Sequence, residues 1–217
     1  MALTGSTNEE KIWDFFKNKG LTDCGVAGLM GNLYAESGLS PTNLQNTYEK
    51  KLGYTDVTYT AAVDNGSYAN FVKDAAGYGL AQWTYWSRKQ NLLNYVRSQS
   101  KSIGDLESQL EFLYKELSES YKSVLTALKA ATSVLSASNT VLKDFEKPKD
   151  QGSAVQTKRA SYGQAYYDKY AKVTSKTTSQ EGSGHMISNC GHDENGKYTG
   201  GKAGDQTGGE WALINWY

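Results

Sequence analysis

The chain has 217 residues, 38% of them hydrophobic, a length that supports one well-filled core and a smaller appendage. Its formal net charge is zero, so no basic field favours nucleic acid, and no apolar run approaches a membrane span or a signal peptide. Both histidines, His185 and His192, lie near the C-terminus, so residues before 180 have no Ser–His, Cys–His or His–metal chemistry and carboxylates remain as acids and bases, with no metal or cofactor expected.

Thr7 or Asn8 can cap a first helix, with Glu9 and Glu10 in its first turn, Ile12, Trp13 and Phe16 inward, and Gly20 at its end. Thr22 or Asp23 can cap a second. There Val26, Leu29, Met30 and Leu33 recur at i, i+3, i+4 and i+7, and the next position on that face is Glu36, with Gly38 as a stop. A carboxylate ending a core-facing stripe must be paired, neutralised or used. Cys24 on this helix and the distant Cys190 are too few for a disulfide framework and read as free thiols.

From Leu39 to Ala76, Pro41, Gly53 and Gly66 break any helical period. Residues 53–60 alternate as a short strand and 64–66 form a turn signal, so a long loop or small β excursion is expected. Gly77-Tyr-Gly-Leu-Ala-Gln-Trp-Thr84 follows, with two glycines that permit close backbone approach. Further helices are expected over 87–97, from Asp105 through Leu117, over 121–131, over 132–145 before Pro148, and over 153–172. Residues 173–185 have a linker's composition, and 186–217 hold too little apolar content to fold alone. The fold class is therefore mainly α.

Glu36 precedes a long polar loop and the segment bearing Gln82 and Trp83. In a half-dry cleft built from these parts, burial disfavours a charged carboxylate, which suits a general acid protonating a glycosidic oxygen. The pairing of Gly31-Asn-Leu-Tyr-Ala-Glu-Ser-Gly-Leu-Ser-Pro41 with Gly77-Tyr-Gly-Leu-Ala-Gln-Trp83 resembles the phage tail lysozyme family, itself similar to goose-type lysozymes and soluble lytic transglycosylases. Asp144-Phe-Glu-Lys-Pro148 and Arg159-Ala160 resemble that family's C-terminal pattern, so the likeness spans residues 8–172. The resemblance implies an α-helical lysozyme-like fold and cleavage of the MurNAc–GlcNAc β-1,4 bond of peptidoglycan. It puts the catalytic acid at Glu36 and a substrate-binding glutamine at Gln82. Asp74, near the place where goose-type enzymes carry a water-positioning aspartate, is the candidate second carboxylate, with Asp64, Glu49 and Asp56 as rivals. Tyr78, Trp83, Tyr85 and Trp86 are candidates for stacking on sugars, at least half of them expected in the core. Asn43 and Gln45 are candidates for bonding N-acetyl groups.

In the tail, residues 187–198 and 204–211 resemble the opening of a papain-like cysteine amidase or endopeptidase domain of phage endolysins. That family's nucleophilic cysteine lies further along, and Cys190 and His192, two residues apart, point to opposite faces of an extended chain. The expected organisation is a catalytic domain over 1–172, a linker over 173–185 and a truncated second module over 186–217. The expected function is a phage endolysin or tail-associated lysin whose partner is bacterial peptidoglycan. It would be made in the host cytoplasm without a signal peptide and reach the wall through a holin or on the virion. A lytic transglycosylase with the same acid, or a non-catalytic cell-wall binding module, are the alternatives.

Overall fold

The structure is a computed structural model that describes residues 3–177. Its central element is α2 (Asp23–Ser37), capped by Thr22, whose hydroxyl accepts from the Gly25 amide and donates to the Ala131 carbonyl. The sequence predicts one apolar stripe on this helix. Instead every residue from Cys24 to Leu33 is buried, because neighbours pack on all sides. Close approach is possible because Gly25, Gly28 and Gly31 remove side chains at every third position. A Cβ at Gly31 would sit 2.4 Å from the Arg159 carbonyl oxygen, in α9 (Ser153–Thr177), and one at Gly163 would sit 2.6 Å from the Ala27 carbonyl. The two backbones touch. On a third side lies α8 (Val134–Thr140), tied by the buried Asn32, whose amide donates to the carbonyl and the hydroxyl of Ser138 at 3.0 Å each.

The other side of α2 meets α1 (Asn8–Asn18) and α7 (Lys122–Lys129), and α6 (Leu106–Glu119) packs between these and α5 (Trp86–Ser98). The first helix starts on a reciprocal cap between Thr7 and Glu10, and Ile12 and Phe16 are fully buried as their spacing predicts. The fold is thus mainly helical, as the sequence implies. Cys24 is fully buried in this core.

The strand expected over 53–60 does not form. After a short α3 (Asn46–Leu52), Thr55 and Thr58 cap each other reciprocally and begin α4 (Asp56–Asp64). Tyr59, Thr60, Ala62 and Val63 are the residues it buries, a helical pattern that outweighs the apparent alternation. Among the described residues, β pairing is limited to the isolated bridges Leu44–Tyr78 and Tyr78–Trp83. The single helix expected over 132–145 is also divided: α8 widens into a π-helical turn, Val141–Glu146, closed by Lys147 at φ +50°. The last helix runs on to Thr177, into the segment read as a linker. The expected module at 186–217, with Cys190 and His192, lies outside the described residues. Among those described, no helix is long and apolar enough to cross a membrane.

Replacing Gly31 with alanine should cost about 1–3 kcal/mol, the usual penalty for forcing carbon into a packed interface, because its contact is backbone and cannot swing aside. Urea unfolding checks this. A stability equal to the parent's would mean that α2 and α9 have room to separate.

Candidate active site

Glu36 sits in the last turn of α2, where carbonyls carry partial negative charge and a carboxylate is electrostatically disfavoured. The α2–α9 contact supplies the compensation: Arg159 Nη1 lies 2.6 Å from Glu36 Oε1 and also donates to Asn32 Oδ1 at 3.3 Å. The Glu36 side chain is 20% exposed. Its surroundings are therefore an ion pair at the edge of water, where the sequence suggested a half-dry cleft that disfavours its charge. Gly38 closes the helix at φ +60°, and the Ser37 hydroxyl donates to the Leu33 and Leu80 carbonyls, fastening the helix end to the segment 77–84.

That segment is held by a buried glutamine the sequence reading did not single out. Gln109 Oε1 accepts from the Leu80 amide at 2.9 Å, while its Nε2 donates to the Pro41 and Ile103 carbonyls at 2.6 Å each. Residues 43–45 lie alongside: the Gln45 amide donates to the Gly77 carbonyl, and the Gly79 amide donates to the Asn43 carbonyl. Gln82 adopts φ +42°, a strained setting for a non-glycine residue, and its amide donates to both the carbonyl and the Oδ1 of Asn43.

A cleft of 460 Å³ opens over this scaffold. Its lining brings Glu36 together with Gln45, Gln82, Thr84, Tyr85 and Arg88, and with Glu146 and Pro148 from the end of the π-helical turn. Arg88 makes a bidentate pair with Glu116 at 2.8 Å, and its guanidinium stands 4.9 Å from the Phe145 ring. Tyr85 and Trp86 are the exposed rings here, at 62% and 59%, and Tyr85 lines the cleft.

Several expected site residues lie elsewhere. Tyr78 and Trp83 are fully buried and cannot stack on a ligand: the Tyr78 hydroxyl is bonded to Thr60, and Trp83 Nε1 donates to Glu116. Asn43 acts as the anchor for Gln82 and is not part of the lining. Asp74, the expected second carboxylate, is also outside the cleft. Its Oδ1 accepts from Lys89 Nζ at 2.6 Å and from the Ala76 amide, and its Oδ2 accepts from the Tyr59 and Tyr68 hydroxyls. Lys89 is fully buried and Asp74 nearly so. With every oxygen engaged, this aspartate serves the packing of residues 59–76 on α5. Two of its rivals are engaged too, Asp56 with the Leu44 amide and Asp64 with the Ile103 amide, and the third, Glu49, is outside the cleft lining.

The second carboxyl group in the cleft is Glu146. Its Oε1 is buried without a hydrogen-bond partner among the described residues. Burial, and next the charge of Glu36, push its carboxyl up to about 8, against the opposing pull of Arg88 and Arg159 and with a small further push from Glu116. Sequence reasoning quoted this glutamate within Asp144-Phe-Glu-Lys-Pro148 and gave it no role. Nothing local marks it, since the π-helical turn that aims it arises from packing. Among the described residues no group of three or more His, Cys, Asp or Glu side chains is placed to hold a metal ion.

The sequence model of the phage tail lysozyme family matches residues 7–170, and that of an endolysin-like domain matches residues 187–217.

Two outcomes test the assignment of these carboxylates. Asp74→Asn should destabilise the fold by about 3–5 kcal/mol, since it strands a buried lysine, and adding Lys89→Met should restore both stability and activity. An active-site aspartate would leave the double variant folded but inactive. For Glu146, the unfolded chain loses its proton near 4.5 and the folded chain only near 8, so its contribution to stability is complete below the lower value and disappears as pH rises through the higher one. Melting temperature should fall across that window and flatten in Glu146→Gln. Parallel curves for the two proteins would contradict the assignment.

Proposed function

The chain belongs to the phage tail lysozyme family, and on that premise we propose that it cleaves the MurNAc–GlcNAc β-1,4 bond of peptidoglycan with Glu36 as general acid. Family membership makes it a cell-wall lysin; the bond and the acid are our reading. The observation that carries it is the cleft itself, in which a partly exposed carboxyl meets two amide side chains and an exposed tyrosine ring. Such a set fits a glycan: amides bond hydroxyl and N-acetyl groups, an aromatic face covers a sugar face, and the carboxyl meets the bridging oxygen. Gln82 and Gln45 then hold substrate, with Gln82 fixed by Asn43 and Gln45 by the Gly77 amide. Of the four rings expected to stack on sugars, Tyr85 is the one in the lining and takes that role.

The reaction delivers a proton from Glu36 to the glycosidic oxygen as the bond to C1 breaks, and the electron pair leaves with that oxygen. Water as acceptor gives hydrolysis; the sugar's own hydroxyl as acceptor gives a lytic transglycosylase. The match to an endolysin-like domain at 187–217 supports a second wall-directed module in the same protein.

Glu36→Gln should remain folded while turnover on purified sacculi falls by about 10²–10⁴-fold, the usual span for a lost general acid. Mass spectrometry of released muropeptides reads both the loss and the product, because an anhydro sugar lacks one water. A fully active Glu36→Gln, or a parent that binds sacculi and releases nothing, would refute the proposal, the latter in favour of a binding module.

A further inference from the structure

We propose that Glu146 and Glu36 work as one carboxyl pair sharing a single proton, with Glu146 as its resting holder and Glu36 as the group that hands it to the substrate. The inference rests on the glycosidic reading above and adds the source and the fate of the proton.

Three observations of geometry support it. Both side chains line the same cleft, from different directions: Glu36 from the end of α2, Glu146 from the last position of a π-helical turn. Such turns are rare and are frequently found at functional sites, and this one is followed immediately by a residue at positive φ, Lys147, so two uncommon backbone settings adjoin one side chain. The partners also differ. Glu36 is satisfied by Arg159 at 2.6 Å, whereas Glu146 Oε1 has no hydrogen-bond partner among the described residues and is buried. A buried carboxylate oxygen without a donor is costly, whereas a neutral carboxyl group tolerates the site.

The charged groups acting on Glu146 come from four helices: Glu36 on α2, Arg88 on α5, Glu116 on α6 and Arg159 on α9. Two are acidic and two basic, so their charges largely offset one another, and burial decides the outcome. Glu116 is already neutralised by the bidentate pair with Arg88. Glu36 thus remains the acidic neighbour that lines the cleft with Glu146. Carboxyl groups that act on each other across one cleft lose their protons in steps that belong to the pair.

In the resting cleft, Glu146 is the neutral member and Glu36 forms the ion pair with Arg159. Glu146 passes its proton to Glu36, a glycosidic oxygen seated at Glu36 takes it as the bond to C1 breaks, and the electron pair of that bond goes to the leaving oxygen. Both carboxyls are then charged, with Arg88 and Arg159 opposing them. The hydroxyl that attacks C1, from water in hydrolysis, returns one proton to the pair. One proton leaves and one comes back, and no other reactant is needed.

The test uses the full chain on purified sacculi between about pH 5 and 9, where a bell-shaped profile reports the essential acid and base. The parent should lose activity on an alkaline limb near 8, and Glu146→Gln should turn over at least about 10²-fold more slowly and lack that limb. Carbon-13 NMR of labelled glutamate carboxyls gives a second readout, independent of turnover. The Glu146 resonance should titrate near 8 in the parent and at lower pH in Glu36→Gln, where its acidic neighbour is gone. A Glu146→Gln protein with parental rate and an unchanged profile overturns the inference alone, as does a Glu146 resonance that titrates with surface glutamates. A parent that releases no saccharide at any pH overturns both this inference and the function on which it rests.

Discussion

The contact of α2 with α9 at Gly31 and Gly163 is the constraint on which the cleft depends. Arg159 contributes to it twice. Its carbonyl lies against the place where a Gly31 side chain would be, and its guanidinium reaches along the groove to Glu36. Backbone proximity therefore fixes where the positive charge can reach, the last turn of α2. Without that charge, Glu36 would face the negative end of its own helix unassisted. Asn32 fastens the arrangement by contacting Arg159, Gly28 and Ser138, which links α9, α2 and α8 through one buried amide. Three helices are brought to one point by residues too small, or too well bonded, to be moved.

From that point the cleft is assembled by polar side chains that serve the backbone. Gln109 holds residues 41, 80 and 103, and Asp74 with Lys89 holds the packing of 59–76 on α5. These groups lie behind the wall, and their hydrogen bonds make it rigid. A rigid wall is what lets Gln82 persist at positive φ and Glu146 persist with an oxygen that has no partner among the described residues. The arrangement costs stability in the neutral range and keeps a proton in the cleft at a pH where a solvated glutamate would have lost it. The same burial produces both effects.

Much of this was legible in the residues. Glu36 in the last turn of its helix, Gly38 as the stop and the Gly-x-Gly segment beside them lie where their spacing put them, although the helix before Glu36 is buried all round and not on one stripe. The helices at 8–18, 23–37 and 106–119 follow from capping residues and apolar period. What escaped was decided by a local cap in one segment and by tertiary contact elsewhere. Alternation over 53–60 looked like a strand because Tyr, Val and Thr are frequent in strands, yet a reciprocal threonine cap tipped the segment into a helix. Tyr78 and Trp83 looked like sugar platforms because composition alone does not say which rings a core will take up. The glycines at 25, 28 and 31 were visible, but their meaning depended on which helix would cross them. Glu146 lay inside a quoted motif, and only the widened turn after α8 shows where it points.

The central claim is that a glycan lies in this cleft with its bridging oxygen at Glu36. A crystal structure of Glu36→Gln bound to a tetrasaccharide of alternating GlcNAc and MurNAc tests it most directly. The account predicts the bridging oxygen within about 2.6–3.2 Å of the residue 36 side chain, with a sugar face against Tyr85. A tetrasaccharide bound on another surface, or lying in the cleft with no bridging oxygen near residue 36, would contradict it.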